Sequence, residues 1–239
     1  MTERSFAERQ EDVRRNLSHI RERMAQACAE AGRDPNTVTL MAVTKTVPPE
    51  VIQTALDEGV TLIGENRVQE YLEKRDRLCL GNAQVHLIGH LQTNKVKKIV
   101  GEVSAIQSVD SLHLAQAISE ESCKKGLVTP VLCEVNVGEE LSKSGVSAPE
   151  LELLVRQMAV LPGIRVSGLM AIPPVVTDPM EKRRNFSLLR HLFIDIAGKN
   201  IDNIHMDVLS MGMSNDYYEA ILEGATLIRV GSALFGARV

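Results

Sequence analysis

Short apolar segments alternate with amphipathic segments along most of the chain. Eight of the short segments are rich in Val, Ile and Leu on both faces, which is typical of buried parallel strands. Each is followed by a segment that we predict to be a helix, in most cases longer than the strand before it. The predicted strands cover residues 39–45, 61–66, 85–90, 105–109, 130–137, 164–172, 204–210 and 226–231. Eight such βα units predict an α/β fold, the (β/α)8 TIM barrel.

One further helix is predicted before the first strand. Apolar residues recur there at spacings of three and four, and Gly32 marks the end of the pattern. We therefore expect an extra N-terminal helix over about residues 5–32. No composition shift or linker follows, so residues 1–239 are predicted to form a single domain. An open doubly wound sheet is the alternative fold, but the dinucleotide fingerprint is missing from the first βα turn.

Composition and charge argue against several functional classes. With 44% hydrophobic and 24% charged residues, the chain has the balance of a globular protein. A net charge of −4 and 3% aromatic residues argue against a nucleic-acid partner. No apolar stretch reaches the roughly 20 residues of a membrane helix, and the N-terminus lacks an apolar signal core. We therefore expect no membrane contact, a cytoplasmic location and reduced thiols at the scattered Cys28, Cys79, Cys123 and Cys133.

Lys45 ends the first predicted strand and shares its parity with Met41 and Val43. Barrels of this type collect their chemistry at the carboxyl ends of the strands. Partial burial disfavours the charged form of a lysine, and a neutral amine can attack a carbonyl carbon. Lys45 is therefore a Schiff-base candidate. The alternative is a lysine that extends its amine to solvent from a strand end.

The loops after the last two predicted strands have the residues of an anion site. Met213 and Ser214 follow Gly212 just before a predicted helix, and Ser232 follows Gly231 in the same way. Backbone N–H groups and hydroxyls at helix starts bind anions, and TIM barrels often bind phosphate at these two loops. The alternative for each serine is ordinary helix capping.

Arg229 lies near the end of the last predicted strand, where a buried guanidinium needs an acceptor. An ion pair with Glu65 or Asp110 is the alternative to a ligand-facing role.

Two other patterns are weaker. His86 and His90 lie four residues apart in one predicted strand, but no third metal ligand is evident, so we predict no metal site. The segment 138–145 lacks the second glycine of a P-loop, although Lys143 within it could approach an anion at the barrel mouth.

Several motifs together resemble those of the pyridoxal phosphate homeostasis protein family, the proline synthase co-transcribed homologues. These motifs are MAVTKTVPPE, IGENRVQE, HLIGHLQTNK, SVDS, EVNVGEELSKSG, GLMAI and LSMGMSNDYYEAILEGATLIRVGSALFG. The family's fold is similar to the barrel domain of alanine racemase, a fold type III barrel that binds pyridoxal 5′-phosphate (PLP). The resemblance implies that Lys45 carries PLP as a Schiff base and that Arg229 faces the pyridine nitrogen. It also implies phosphate binding by Ser214, Gly231 and Ser232 near the Met213 backbone, with Asn66 lining the ring.

The function implied by the resemblance is to hold and hand over PLP, without robust catalytic turnover. The protein is then expected to be a monomer that contacts PLP-dependent apoenzymes transiently. One alternative is a PLP-dependent amino-acid racemase or related enzyme, and another is an interaction protein whose cofactor reports vitamin status. Racemisation needs a base on each face of the cofactor, and we expect none opposite Lys45. The tyrosines Tyr71, Tyr217 and Tyr218 all fall in predicted helices, and the chain ends at the barrel.

Overall fold

Eight parallel strands close into a barrel in the computed structural model, which describes residues 5–138, 144–174, 176 and 178–236. The strands of these described residues, in chain order, are β1 Thr39–Val43, β2 Leu62–Glu65, β3 Gln84–Leu87, β4 Ala105–Val109, β5 Thr129–Asn136, β6 Val146–Ser147, β7 Ile164–Met170, β8 Ile204–Ser210 and β9 Leu227–Val230. The hydrogen-bonded order is β4-β3-β2-β1-β9-β8-β7-β5, and pairing of β4 with β5 closes the ring. The two-residue β6 extends the sheet from β5 outside the ring. The predicted TIM barrel is confirmed.

Helices follow the strands as the pattern predicts. They are α1 Phe6–Glu30, α2 Pro49–Asp57, α3 Val68–Lys74, α4 Val96–Ile99, α5 Leu112–Lys124, α6 Leu151–Ala159, α7 Pro179–Gly198, α8 Tyr217–Leu222 and α9 Ser232–Phe235. The segment after β3, predicted as one helix, divides into the 3-10 turn Thr93–Lys95 and the single turn of α4. Thr and Asn have low helix propensity, which weakens the helical pattern at its start.

The predicted N-terminal helix is confirmed as α1. Ser5 and Glu8 form a capping box, in which the Ser5 N–H donates to Glu8 Oε2 at 2.7 Å. The apolar face of α1 packs against α2, α8 and α9. Asn16 Nδ2 donates to the Leu234 carbonyl at 3.0 Å and connects α1 to α9, the helix after the last barrel strand. Among the described helices, none is both long and apolar enough to cross a membrane.

The apolar residues separate into an outer layer and a smaller barrel interior. The outer layer fills the space between the strands and the helices. Met41, Val43, Leu62, Ile88 and Leu227 form the interior cluster. Partners in adjacent parallel strands lie on the same face of the sheet, and Met41 pairs with Arg229. The interior therefore contains an arginine next to an apolar plug.

Candidate functional site at the barrel mouth

Lys45 lies in a tight turn directly after β1. The Val47 N–H donates to the Thr44 carbonyl at 3.1 Å, so Lys45 and Thr46 are the two central residues of the turn. Thr46 has a φ of 61°, in the left-handed region that a β-branched residue rarely adopts. Lys45 itself is half-buried. The predicted strand reached Lys45, but β1 ends at Val43, and Lys45 lies in the turn that follows the carboxyl end of the strand.

Asn66 directly follows β2, the neighbour of β1 in the barrel. Its side-chain Oδ1 is buried and has no hydrogen-bond partner within the described part of the chain. The backbone of Gly89 packs onto Asn66 so closely that a Cβ at position 89 would lie 2.2 Å from the Asn66 carbonyl oxygen. A buried acceptor without a partner costs about 1–3 kcal/mol. Asn66 therefore presents an acceptor that a bound molecule can satisfy.

Ser214 joins the two loops that the sequence assigns to an anion. Its Oγ accepts hydrogen bonds from the backbone N–H groups of Gly231 and Ala233, each at 3.1 Å. Ser214 thus caps the start of α9, not that of α8, the helix next to it in the chain. A hydroxyl with two accepted hydrogen bonds still has its own hydrogen to donate.

The backbone of these loops is anchored from the same side. Asp216 Oδ1 accepts from the Met213 N–H at 2.5 Å, and the Gly212 carbonyl accepts from the Arg229 N–H at 3.0 Å. Burial raises the pKa of Asp216, while the hydrogen bond from Met213 opposes that shift. The Ser232 N–H makes no hydrogen bond with another described residue. The Ser214 hydroxyl hydrogen and the Ser232 N–H are therefore among the donors that remain for an anion.

Arg229 is 3% exposed and is held inside the barrel by two hydrogen bonds. Its Nη1 donates to Ser210 Oγ at 2.6 Å, and its Nη2 donates to the Ala171 carbonyl at 2.7 Å. Burial lowers the pKa of Arg229 to about 10, and the negative charges of Glu134 and Asp216 oppose that shift. The guanidinium therefore stays charged at neutral pH.

The alternative that Arg229 forms an ion pair with Glu65 or Asp110 is wrong. Glu65 forms an ion pair with Lys74 of α3, at 2.7 Å between Nζ and Oε1. Asp110 makes no ion pair or hydrogen bond with Arg229 among the described contacts. Alternation along β2 directs Glu65 to the helix side of the sheet, because Leu62 belongs to the interior cluster.

A chain of hydrogen bonds continues from Arg229 across the barrel interior. Ser210 Oγ donates to Gln107 Oε1 at 2.7 Å, and Gln107 Nε2 lies 2.8 Å from His86 Nδ1. Burial lowers the pKa of His86 to about 4, so its ring is neutral at pH 7 and Nδ1 accepts from the amide. Four strands, β9, β8, β4 and β3, contribute to this chain.

The histidine pair of the sequence does not share a strand. β3 ends at Leu87, so His90 lies in the exposed loop beyond it, while His86 is engaged by Gln107. Within the described ranges, no group of three His, Cys, Asp or Glu side chains could hold a metal ion. Lys143 lies outside the described residues.

Glu134 is an interior carboxylate that the sequence analysis did not select. It pairs with Met170 of β7, which in turn pairs with Ser210 of β8, and it is 6% exposed. Burial raises the pKa of Glu134 to about 7; the charge of Asp110 adds to the rise and that of Arg229 opposes it. Its signal in the sequence was the alternation that places Leu132, Glu134 and Asn136 on one face of β5.

All seven predicted site residues are carried by four neighbouring strands, β2, β1, β9 and β8, or by the loops after them. An amine, a charged guanidinium and the two loops that the sequence assigns to an anion thus share one end of the barrel. Two cavities of about 420 Å³ open elsewhere, one at the starts of β1 and β2 and one between α1, α7 and α8. None of the seven residues lines either cavity.

Comparisons with known proteins agree with the barrel fold. Residues 15–239 match the family model described as alanine racemase, N-terminal domain. A pyridoxal phosphate homeostasis protein of Aquifex aeolicus is 44% identical over 222 residues, which cover 93% of this chain and 96% of the relative. The Escherichia coli K12 protein of the same name is 36% identical over 95% of this chain and 97% of its own. The structure of PipY from Synechococcus elongatus with PLP bound is 33% identical and has a TM-score of 0.79, covering 89% of this chain and 100% of that chain.

Proposed function

The chain belongs to the pyridoxal phosphate homeostasis protein family, and on that premise we propose that it binds PLP at the barrel mouth and acts in intracellular PLP homeostasis. The observation that carries the proposal is the placement of Lys45, Arg229 and the Ser214–Gly231 contact on three neighbouring strand ends. PLP has an aldehyde, a pyridine nitrogen and a phosphate on different sides of one ring. The three groups of the protein match these three features.

The phosphate is assigned to the loops after β8 and β9. The Ser214 hydroxyl and the Ser232 N–H are among the donors of these loops that the described hydrogen bonds leave available. A Cβ at Gly231 would lie 3.4 Å from Val43 Cβ, which is ordinary contact, so packing alone does not demand glycine there. Glycine at such a position allows close approach of the backbone to a ligand. This supports Gly231 and Ser232, beside the Met213 backbone, as the phosphate cradle.

The ring is assigned to the space between Arg229 and Asn66. Arg229 faces the pyridine nitrogen in this assignment, and Asn66 lines the ring. A polar substituent of the ring would give the buried Asn66 Oδ1 the hydrogen bond that it lacks. The orphaned acceptor is thus an observation of this chain that fits the proposed ligand.

Lys45 is assigned to the aldehyde. Lys45 would hold PLP through its amine, and the aldehyde would supply a carbon that a neutral amine can bond reversibly as a Schiff base, with loss of water. Addition of water reverses the step and returns the free amine and the aldehyde. Reversibility of this bond lets the protein both hold PLP and release it.

We propose that the protein is a carrier without robust turnover. Charged Arg229 disfavours protonation of a facing pyridine nitrogen, and an unprotonated ring is a weaker electron sink. The three tyrosines are engaged away from the mouth. Tyr71 donates to the Glu102 carbonyl, Tyr218 donates to Glu30, and Tyr217 is buried in the outer layer.

The alternative is a PLP-dependent amino-acid racemase or related enzyme, favoured by the match to the alanine racemase domain. Incubation of PLP-loaded protein with L- and D-alanine in deuterated water distinguishes the two. The carrier proposal predicts negligible exchange of the α-proton. Exchange with inversion at about 1 s⁻¹ or faster, the low end for enzymes, and its loss in Lys45→Ala, would establish the enzyme.

The direct test is an absorption spectrum of the PLP-loaded protein before and after borohydride, followed by peptide mapping. We expect visible absorption that borohydride abolishes, with the label on Lys45. Lys45→Ala should lose this absorption but retain weak binding through the phosphate loops. Lys95→Ala, an exposed lysine on the same molecule, is the control. Label on another lysine, with Lys45 unmodified, contradicts the assignment.

Monomeric state, cytoplasmic location and transient contact with PLP-dependent apoenzymes complete the proposal. The function in the relatives' name supports the transient contact, because a protein that supplies PLP must release it to other proteins. Light scattering on the purified protein tests the monomer. PLP transfer tests the contact. The PLP-loaded protein and an apoenzyme are either placed in the same solution or separated by a dialysis membrane that only free PLP can cross. A direct contact predicts faster transfer without the membrane than free diffusion of released PLP allows.

A further inference from the structure

Three charged residues behind the Lys45 turn form an ion cluster that the proposed function does not use. Glu65 of β2 is 0% exposed, Lys74 at the end of α3 is 6% exposed, and Glu70 lies one helical turn before Lys74. Lys74 Nζ lies 2.7 Å from Glu65 Oε1 and 3.0 Å from Glu70 Oε1. We call these three residues the Glu65–Glu70–Lys74 cluster.

The ammonium of Lys74 is bonded to the turn as well as to the two carboxylates. Its Nζ donates to the Thr44 carbonyl at 2.8 Å. An ammonium has three hydrogens, and the Thr44 carbonyl, Glu65 and Glu70 supply three acceptors. The same Thr44 carbonyl accepts the Val47 N–H that closes the turn. Lys74 therefore fixes the residue immediately before Lys45.

Glu70 fixes the residue immediately after Lys45. Its Oε1 accepts from the Thr46 N–H at 2.5 Å. Burial alone would raise the pKa of Glu70, but the hydrogen bonds from Thr46 and Lys74 outweigh it and lower the pKa. The third residue of a turn with positive φ is usually glycine, and here Thr46 adopts that conformation. The bond to Glu70 holds Thr46 in a backbone conformation that threonine disfavours.

Glu65 completes the restraint from the strand side. Thr44 Oγ1 donates to Glu65 Oε1, and the Thr44 N–H donates to the Gly64 carbonyl at 3.0 Å. Burial raises the pKa of Glu65, and the charge of Lys74 opposes the rise. Both neighbours of Lys45 are thus tied to β2 or α3 by groups with little freedom to move.

We infer that the Glu65–Glu70–Lys74 cluster positions Lys45 for reaction with the aldehyde, with Glu70 and Lys74 acting through the backbone of Thr44 and Thr46. The inference rests on the proposed function, because it concerns the amine that forms the Schiff base. The cluster has no part in phosphate binding, since Ser214 and Gly231 belong to the loops after β8 and β9. Loss of the Glu70 carboxylate, which acts through the Thr46 backbone, should therefore affect covalent capture and leave non-covalent binding alone.

Two probes separate these effects, PLP and pyridoxine 5′-phosphate, in which an alcohol replaces the aldehyde. Glu70→Ala should weaken PLP binding by about tenfold, the scale of one hydrogen bond to a charged group. Its affinity for pyridoxine 5′-phosphate should stay within about twofold of wild type, as for an ordinary surface change. Glu73→Ala is the matched control, because Glu73 is an exposed residue of the same helix whose bond is to Gln69. Both affinities should be unchanged in Glu73→Ala.

A second pair of variants tests whether Glu70 acts through the hydrogen bond that holds Thr46 at a positive φ. Glu70→Gln keeps an acceptor oxygen for Thr46 and should lose less PLP affinity than Glu70→Ala. Thr46→Gly in the Glu70→Ala background should restore most of the loss, because glycine adopts a positive φ without strain. Borohydride trapping gives a separate readout, the fraction of Lys45 labelled at equal occupancy of the site. Thermal unfolding of each apo-protein shows that the variants are folded.

The results that overturn the inference are specific. Equal losses for PLP and pyridoxine 5′-phosphate in Glu70→Ala mean that the whole site is disturbed, and no loss for PLP means that the turn holds itself. Failure of the rescue by Thr46→Gly contradicts the role of the left-handed turn. If wild type shows no label on Lys45 and equal affinity for both probes, the proposed Schiff base fails first. The inference alone fails if wild type forms the Schiff base and Glu70→Ala has the same PLP affinity and the same labelling as wild type.

Discussion

The Ser214 hydroxyl oxygen lies 3.1 Å from the Gly231 backbone nitrogen, so one side chain joins the loops that follow β8 and β9. A second hydrogen bond of the same length reaches the Ala233 N–H. The loops come together because β8 and β9 are neighbours in the barrel. The hydroxyl hydrogen of Ser214 stays available to an anion, which makes this serine both a structural link and a candidate ligand.

Ser214→Ala tests that dual role. The change removes the hydroxyl donor and the acceptor of the Gly231 and Ala233 N–H groups. The binding free energy of PLP should therefore weaken by about 1–2 kcal/mol. Equilibrium titration with PLP and with pyridoxal measures the effect of the phosphate. Ser111→Ala is a matched control, because Ser111 caps α5 through the Leu114 N–H on another part of the barrel. Equal wild-type affinities for PLP and pyridoxal would refute the phosphate site.

Gly231→Ala should bind PLP more weakly while folding normally. Gly231 has a φ of −116°, which any residue adopts, and a Cβ there makes only ordinary contact with Val43. The added methyl group would instead occupy space that the phosphate needs. Thermal unfolding of the apo-protein and a PLP titration separate the two effects. Gly89→Ala, in contrast, should destabilise the fold, because its Cβ would lie 2.2 Å from the Asn66 carbonyl oxygen.

Ser210→Ala should destabilise the protein through the chain of interior hydrogen bonds. The change leaves Arg229 Nη1 and Gln107 Oε1 without their partner. Leaving buried polar groups unsatisfied costs about 1–3 kcal/mol, which denaturant unfolding of the apo-protein detects. Ser167→Ala is the control, since Ser167 is a buried serine of the adjacent β7 whose one described side-chain contact is long, 3.5 Å to the Arg165 carbonyl. Similar losses in both variants would contradict the importance of the chain.

Glu134 should make the stability of the apo-protein depend on pH. Its pKa is raised from 4.5 to about 7 in the folded state, so the folded protein binds the proton more tightly than the unfolded chain does. This contribution is fully present below the unfolded pKa and is lost as the pH rises through about 7. The shift corresponds to about 3 kcal/mol across that window.

Glu134→Gln removes this dependence, because the amide does not titrate. The wild type should therefore lose stability relative to Glu134→Gln as the pH rises from about 4.5 to above 7. Denaturant unfolding of both apo-proteins at a series of pH values measures the difference. The neighbouring charged groups, Asp110 and Arg229, are the same in both proteins. A constant difference across the series would show that Glu134 keeps its ordinary pKa.

Local patterns in the sequence were sufficient to predict the architecture and the positions of the residues proposed to bind PLP. Each strand is a short apolar run, and the longer helices have apolar residues at spacings of three and four, so the order of elements can be predicted without tertiary information. Lys45 ends an apolar strand, and two glycine–serine loops follow the last two strands. Because parallel strands all end on one side of a barrel, these residues had to share that side.

The partners of the buried charges were decided by the tertiary structure. Arg229 bonds to Ser210 and Ala171, and not to either of the carboxylates that the sequence suggested. Glu65 meets Lys74 on the helix side of β2, and Glu134 lies inside the barrel beside β7.

The local pattern predicts which face of a strand or helix a side chain occupies. The partners of that side chain depend on strand order, register and barrel closure, which are set by contacts between residues distant in the sequence. Ser214 shows the same limit. Its type and position indicate a helix cap, and only the packing of β8 beside β9 determines that it caps α9, the helix after the next strand.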